Sequence, residues 1–96
     1  MHGEYKMPGA KLVVIDLEVR DGKLADVQLS GDFFLEPDSA LHMIDAALEG
    51  LPANTAPEAL ATVVAAALPA TAILYGISPE AVAVAIQRAV HGEPGT

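Results

Sequence analysis

The chain has 96 residues, of which 52 % are apolar, and it carries a formal net charge of -8. A surface this acidic repels phosphate backbones and anionic lipid headgroups, which argues against nucleic acid or a membrane as a partner. The lack of cysteine excludes disulfides and thiolate metal sites. Residues 1–11 are polar and do not resemble a secretory leader. We therefore expect a cytoplasmic protein of one domain, residues 1–96, with a turn-rich lead-in at 1–10 and a flexible tail at 93–96.

An antiparallel β-hairpin is predicted near the start of the chain. Residues 11–20 alternate between apolar and polar side chains, which is typical of a strand with one wet face. Residues 24–30 alternate again, after the tight-turn pair Asp21-Gly22. The predicted inward-facing residues are Val13, Ile15, Leu17, Val19, Ala25, Val27 and Leu29.

Three helices are predicted after the hairpin, at about 37–50, 55–69 and 78–92. Thr55, followed by Glu58, is the predicted N-cap of the second helix, and Ser78 that of the third. Residues 72–75 fit either a short strand or an extended loop. Strands followed by helices predict an α+β fold, in which about three helices pack on one face of a small antiparallel sheet.

Convergent reactive groups are missing from this pattern. The three histidines lie in different predicted elements without metal-type spacing, and His42 fits an edge position of a helix. His2 and Glu4 could share a metal ion, but a pair without further ligands is a weak site. Ser78 is better explained as a cap than as a nucleophile. We therefore predict no catalytic residue and no metal ligand.

The basic residues are unevenly placed. Four of the five precede Leu24, and two of these, Lys6 and Lys11, flank a predicted Pro8-Gly9 turn. The residues alone favour ordinary solvated lysines. The alternative is a cationic edge that meets a carboxylate, a phosphate or an acidic partner surface.

Phe33 and Phe34 are adjacent, so on a strand their side chains point to opposite faces. One of them can fill the core beneath the helices. The other is either covered by a loop or left for a partner. A structural role for both is the favoured interpretation.

Four runs of the sequence resemble, in the same order, the C-terminal accessory domain of lipoate–protein ligases. The chain also resembles the stand-alone version of that domain, the small subunit of a two-part ligase. The four runs are residues 3–12, 17–27, 31–34 and 76–80, and the likeness extends over about 3–91.

The resemblance implies a SufE/IscU-like scaffold fold and a non-catalytic role. In that family a large catalytic subunit uses lipoate, ATP and Mg²⁺ to make lipoyl-adenylate and then transfers the lipoyl group to a carrier lysine. This chain would dock on that subunit, enable the activation step and bind no cofactor alone. The interface residues that the resemblance implies, near the adenylate, are Tyr5, Lys6, Pro8, Gly9, Lys11, Gly31, Asp32, Phe33 and Phe34.

One position departs from the family pattern, which often has a second glycine where this chain has Ala10. Alanine tolerates a positive φ poorly, so the placement of Lys11 depends on the local turn. Other readings stay open. They are an interaction module serving another cofactor-assembly partner, a small enzyme using His2, Glu4 and the acidic face of the hairpin, and a homodimer of the isolated chain. The partner's identity and the acyl substrate are also open.

Overall fold

The structure, a computed structural model, describes residues 1–92, and the predicted flexible tail at 93–96 lies outside the described residues. In chain order the elements are β1 (His2–Tyr5), β2 (Val13–Arg20), β3 (Lys23–Gly31), β4 (Phe34–Glu36), α1 (Ser39–Leu48), α2 (Pro57–Ala67), β5 (Ile73–Tyr75) and α3 (Pro79–His91). The first three strands form an antiparallel sheet in the order β1-β2-β3. Helices α1 and α3 pack on this sheet, and α2 packs on both of them. This arrangement confirms the predicted α+β fold.

The predicted hairpin is formed by β2 and β3. Asp21 and Gly22 have φ values of 53° and 75°, the positive values that a two-residue type I′ turn requires at both positions. The side chains of Val13, Ile15 and Leu17 are at most 3 % exposed, as the alternation predicts.

A β-bulge in β3 changes the predicted inward face of that strand. Asp26 has a φ of 52°, and the register with β2 shifts between Asp16 and Glu18. The extra residue at a bulge reverses the alternation of side chains on either side of it. Leu24 is therefore buried with Val27, whereas the prediction that Ala25 faces inward is wrong, since Ala25 is only half-buried.

The predicted lead-in at 1–10 contains a strand that the sequence pattern did not reveal. His2–Tyr5 pairs with β2, with Gly3 opposite Ile15. The residue of β1 that faces the core is Gly3. Because glycine has no side chain, the sequence of this strand shows no apolar alternation. A Cβ atom at Gly3 would lie 2.2 Å from the carbonyl oxygen of Ala85, so β1 approaches α3 at backbone contact distance.

The predicted N-cap residue is correct for α3 and wrong for α2. The Ser78 hydroxyl accepts a hydrogen bond of 3.1 Å from the N–H of Ala81, which confirms Ser78 as the N-cap of α3. The N-cap of α2 is Ala56, so the prediction for Thr55 is wrong. The Thr55 hydroxyl instead donates to the carbonyl oxygen of Pro52, at 2.6 Å, and Pro57 opens the helix.

The core beneath the helices is apolar throughout the described chain. No polar or charged residue of 1–92 is buried. Helix α3 lies at its centre and buries six residues, of which four are alanine. The largest fully buried side chains are Ile15, Ile44, Leu48, Leu60 and Ile86. Within residues 1–92, no helix combines the length and the apolar character needed to cross a bilayer.

The outer edge of β3 is covered by two carboxylates, those of Asp45 in α1 and of Glu49 at the C-cap of that helix. The N–H of Leu29 donates to Asp45 Oδ1 at 3.0 Å, and the N–H of Val27 donates to Glu49 Oε1 at 2.6 Å. The two acids are four residues apart and so lie on one face of the helix. They satisfy backbone donors that an edge strand would otherwise present to another chain.

We expect Asp45→Ala to lower the free energy of unfolding by about 1–3 kcal/mol, because it leaves the N–H of Leu29 without its acceptor. Asp45→Asn retains an acceptor oxygen and is the matched control, with an expected loss below about 1 kcal/mol. Urea unfolding followed by circular dichroism measures both variants. Equal losses would contradict the role of this hydrogen bond.

The natural chain also differs from both variants in its pH dependence, because only the natural chain has the Asp45 carboxyl group. Burial raises the pKa of Asp45 above its ordinary value of 3.8, so the folded chain holds this proton more tightly than the unfolded chain. The contribution of Asp45 to stability is therefore fully present below pH 3.8 and is lost as the pH rises through the raised pKa. The Asn variant lacks this loss, so it should gain stability relative to the natural chain as the pH rises to neutrality.

Candidate functional site

Three of the four segments that carry the family resemblance meet at one end of the three-stranded sheet. Tyr5 pairs with Val13, and Val13 pairs with Gly31, so the end of β1, the start of β2 and the end of β3 form one row. Residues 6–12 and 32–33 leave the sheet at this row. We call this end of the molecule the lysine end, because Lys6 and Lys11 lie on the loop that joins β1 to β2.

The loop of the lysine end contains the predicted turn at Pro8 and Gly9. Gly9 has a φ of 79°, and the N–H of Ala10 donates to the carbonyl oxygen of Met7 at 2.9 Å. A proline followed by a residue of positive φ is the pattern of a type II turn. Ala10 itself is not at positive φ. The departure from the family's second glycine therefore costs no backbone strain.

Lys11 is fixed to the segment that precedes α3. Its N–H donates to the carbonyl oxygen of Gly76 at 3.1 Å. A Cβ atom at Gly76 would lie 2.3 Å from Lys11 Cγ, so the stem of the lysine lies directly on this glycine. The contact ties the start of β2 to the end of β5 and sets the path of the Lys11 side chain.

Gly31 and Asp32 make a second close connection at the same end. The N–H of Asp32 donates to the carbonyl oxygen of Leu12 at 3.1 Å. Gly31 has a φ of 146°, and a Cβ atom there would lie 2.1 Å from that same oxygen. The role of Gly31 is therefore steric, and the Asp32 carboxylate is left exposed.

The two phenylalanines take different environments. Phe33 is half-buried and packs against the core, whereas the side chain of Phe34 is 55 % exposed. A structural role for both, the favoured interpretation of the sequence, is therefore wrong for Phe34. Phe34 begins β4, which pairs with β5 in a separate two-stranded ribbon, with Tyr75 opposite it. Ile73 and Tyr75 are 56 % and 63 % exposed, so this ribbon presents large apolar side chains to solvent.

Tyr5 is half-buried and its ring is held against α3. The guanidinium of Arg88 lies 4.8 Å from the centre of its ring, and Arg88 Nη1 donates to the carbonyl oxygen of Glu4 at 2.9 Å. The ring also packs against the core. Tyr5 therefore joins β1 to α3, which is a structural role.

The charged groups divide between the lysine end and the outer face of the sheet. Lys6 and Lys11 are exposed, and neither forms an ion pair with another residue in the 1–92 range. Asp16 and Asp26 of the hairpin are paired with His2 and Arg20 respectively. The acidic side chains of the hairpin are exposed, which agrees with the predicted wet face. Within residues 1–92, no direct ion pair compensates the positive charge of the two lysines at the lysine end.

The candidate metal pair is occupied by internal hydrogen bonds. His2 Nδ1 lies 2.7 Å from Asp16 Oδ1, and His2 Nε2 lies 2.6 Å from Glu4 Oε2, so both ring nitrogens face carboxylates. These contacts raise the pKa of His2 to about 9, chiefly through Glu4. A protonated imidazole has no lone pair to give a metal ion. In the part of the chain that the structure describes, no group of three or more acids and histidines could hold one.

The comparisons with known proteins connect this fold to one solved structure. No family model matches the chain, and no curated protein matches it. The chain is similar, with a TM-score of 0.71, to a structure from a study of an archaeal lipoylation system. That study describes a bi-partite lipoate protein ligase and its E2 lipoyl domain from Thermoplasma acidophilum. The match covers 90 % of this chain and 92 % of that one at 22 % identity, which shows a common fold.

The sequence left residues 72–75 as either a short strand or an extended loop, and the structure shows a strand, β5. Ile73 and Tyr75 alternate with the half-buried Leu74, but three residues are too few for a clear strand pattern. The pairing partner, β4, lies almost forty positions earlier in the chain. Gly76 lies in one of the four sequence runs that carry the family resemblance. Its contact with Lys11, however, becomes visible only in the folded chain.

We expect Gly76→Ala to destabilise the chain more than Gly50→Ala does. Both glycines have φ values near 80°, where alanine costs about 1–2 kcal/mol. Space for a Cβ atom is open at Gly50, whereas at Gly76 it would displace the stem of Lys11. The difference in unfolding free energy, measured in urea, should exceed about 1 kcal/mol. Equal losses would show that the Lys11 contact relaxes without cost.

The His2 contacts predict a specific titration. Since the pKa of His2 is raised from 6.5 to about 9, the stabilisation from its pairing is fully present below pH 6.5 and is lost as the pH rises through about 9. Glu4→Gln should lower this pKa more than Asp16→Asn, because the Glu4 bond is the larger cause. Imidazole resonances followed by NMR across pH 5–10 test this. A His2 that titrates near 6.5 in the natural chain would contradict the two contacts.

Proposed function

We propose that this chain is the accessory, non-catalytic subunit or domain of a lipoate–protein ligase. It docks on a larger catalytic subunit and enables the ATP-dependent conversion of lipoate to lipoyl-adenylate. The observation that carries the proposal is the likeness, over nine-tenths of the chain, to a structure from a two-part lipoylation system. The family resemblance of four separate sequence runs points to the same assignment, and three of these runs reach the lysine end.

The lysine end supplies the chemistry that such a partner would use. Catalytic and nucleotide-binding groups belong to the large subunit, which would hold lipoate, ATP and Mg²⁺. The adenylate carries negative charge on its phosphate. A lysine ammonium that lies close to it in a water-poor interface stabilises that charge far more than a solvated lysine does. Lys6 and Lys11 are the exposed cations at this end, and the loop that holds them is fixed by the Gly9 turn and the Gly76 contact.

Lys11 is the better placed of the two lysines for this role. Its stem lies on Gly76 and its backbone is hydrogen-bonded there, so little side-chain freedom is left to lose on docking. Lys6 lies on the other side of the turn, and its exposed side chain forms no ion pair within residues 1–92. We therefore expect Lys11 to contribute more to activation than Lys6.

The remaining site residues divide into supports and contacts. Pro8, Gly9 and Gly31 shape the backbone that carries the lysines, since each fixes a turn or a close approach. Asp32 and Phe34 are exposed beside them and would form the rim of the interface. In this proposal the chain works in the cytoplasm, together with the ligase it serves.

Two other assignments remain as outcomes of the test. One is an interaction module of the same fold that serves another cofactor-assembly partner. The other arises because the similar structure's study also includes a lipoyl domain, the acceptor of the lipoyl group. In an acceptor, one lysine of this chain would itself be lipoylated.

The test is pyrophosphate release from ATP and lipoate by the cognate catalytic subunit, with and without this chain. We expect a strong dependence on the chain and a stable complex of the two proteins. Intact-mass measurement of the reaction mixture then looks for lipoyl groups on the chain. No rate change together with no binding would exclude the accessory role, and a lipoylated lysine would identify the chain as a carrier.

The lysines are tested with a charge-matched control. Lys11→Ala should lower the rate of pyrophosphate release by roughly 10- to 100-fold, the range expected when a charge-assisted contact is lost. Lys6→Ala should have a smaller effect. Lys23→Ala removes an equal charge at the opposite end of the hairpin and should leave the rate within about twofold. Equal effects at Lys11 and Lys23 would show that only net charge matters.

A further inference from the structure

The backbone groups at the end of β3 alternate in direction. In an antiparallel ladder, every second residue turns its N–H and C=O toward the neighbouring strand, and the residues between turn theirs away from it. The N–H of Leu29 turns away from β2, because it donates to Asp45 at 3.0 Å. The N–H of Asp32 turns toward β2, because it donates to the carbonyl oxygen of Leu12 at 3.1 Å. Gly31, two positions after Leu29, therefore turns its N–H and its C=O away from β2.

These outward groups have no partner within residues 1–92. Asp45 and Glu49 accept the hydrogen bonds of Leu29 and Val27, and β2 is the neighbouring strand of β3 on its other side. No group of the described chain accepts from the N–H of Gly31 or donates to its carbonyl oxygen, and the carbonyl oxygen of Leu29 also has no donor. The sequence C=O, N–H, C=O along an exposed edge is what an added strand pairs with.

A groove of about 500 Å³ lies beside these groups. It is lined by residues 29–31 of β3, by residues 33–35, and by Asp38, Leu41 and His42 at the start of α1. Farther along the helix, Asp45 and Glu49 bridge the space between α1 and the strand edge. At the groove this bridging stops, which leaves room for a segment of backbone next to Gly31.

The groove also selects the side chain of such a segment. Residues directly opposite each other in an antiparallel pair point to the same face of the sheet. Val13 lies opposite Gly31 and is fully buried, so a residue added on the other side of Gly31 also points to the face on which α1 packs. There it meets the half-buried Leu41 and the ring of Phe34, which is 55 % exposed. Gly31 has no side chain to obstruct it, so an apolar side chain fits.

The charge around the groove is negative. Asp38 lines it with an exposed carboxylate that caps no N–H of α1. Asp32 and Glu36, which are neighbours of the lining residues in the chain, are exposed as well. A segment that carries Lys or Arg therefore complements the groove. Two copies of this chain that paired through this edge would bring two acidic rims together in a chain of net charge -8.

We propose that the end of β3 binds an extended, basic segment of another protein as an added antiparallel strand. The residue opposite Gly31 is apolar, and its N–H and C=O pair with the C=O and N–H of Gly31. The carbonyl oxygen of Leu29 accepts the N–H that lies two positions farther along the segment. Asp45 holds the N–H of Leu29 and ends the pairing there. This inference goes beyond the proposed function and does not rest on it, because it uses only groups of β3, β4 and α1.

The test uses synthetic peptides of the form acetyl-Lys-Thr-X-Thr-Lys-amide, in which X is Val, Leu, Ile or Phe. Amide spectra of the isotopically labelled chain are recorded with up to about 5 mM peptide, since so short a segment binds weakly, with a dissociation constant on the order of 1 mM. At least one peptide should cause saturable shifts centred on the amide of Gly31 and slow its hydrogen exchange. In the free chain the amide of Gly31 should exchange faster than those of Ser30 and Asp32, which face β2.

Two modified peptides test strand pairing and charge. N-methylation of X removes an N–H that faces β3 and should weaken binding at least tenfold, whereas N-methylation of the preceding Thr removes an N–H that faces away and should change binding at most twofold. Replacing both lysines by glutamates should weaken binding at least fivefold. An apolar groove without strand pairing would respond equally to the two methylations.

Variants of the chain test the same contacts from the other side. Asp38→Asn should weaken the lysine peptide at least threefold, whereas Asp21→Asn removes an equal charge at the far hairpin turn, where asparagine tolerates the positive φ, and should have no effect. Phe34→Ala should weaken binding at least threefold, with Met43→Ala on α1 as the control outside the groove. Circular dichroism confirms that each variant is folded.

Four results would each overturn the proposal. They are a Gly31 amide protected from exchange in the free chain, no shift at Gly31 with any of the four peptides, equal losses from the two N-methylations, and equal binding of the lysine and glutamate peptides. Shifts at Gly31 that depend on the concentration of the chain alone would assign the edge to a second copy instead.

Discussion

The close packing of α3 on β1 and β2 is the constraint on which the rest of the fold depends. At Gly3 the strand backbone lies so near the helix that a Cβ atom would overlap the carbonyl oxygen of Ala85. Alanines on the facing side of α3 allow this approach, and the helix buries six residues as a result. A domain of this size has a limited core, so a central helix in contact with the sheet and α2 makes efficient use of it. The β4–β5 ribbon lies outside that core, with one face uncovered.

The outer edge of β3 is covered by other parts of the chain, whereas the lysine end and the β4–β5 ribbon are not. Along the edge of β3, Asp45 and Glu49 accept backbone hydrogen bonds, and the segment after α1 adds a backbone bond from Leu24 to Leu51. From Leu24 to Leu29 this edge is therefore closed to strand addition by another chain. At the lysine end and on the β4–β5 ribbon, exposed cations and apolar side chains have no such cover. Within residues 1–92, the lysine end and the ribbon therefore offer a surface that α1 does not cover.

Much of the fold follows from patterns that can be seen in the sequence. The hairpin was predictable because β2 alternates cleanly and Asp21-Gly22 specifies its turn, and Ser78 marked the start of α3. The bulge at Asp26 was not, because a positive φ at an aspartate leaves no trace in polarity. Strand β1 was hidden because its inward position is a glycine. The sequence predicted which segments contribute to the site but not how they touch. The contact of Lys11 with Gly76 depends on how distant segments of the chain fold together.

His2 and its two acids lie apart from the lysine end, at the other end of β1. In the part of the chain that the structure describes, the histidine with two close acids, His2, is held as a cation by them and lies on the outer face of the sheet. The lysine end therefore offers a cation whose stem is held against the fold by Gly76, and the charge of that cation gains strength only in an interface that excludes water.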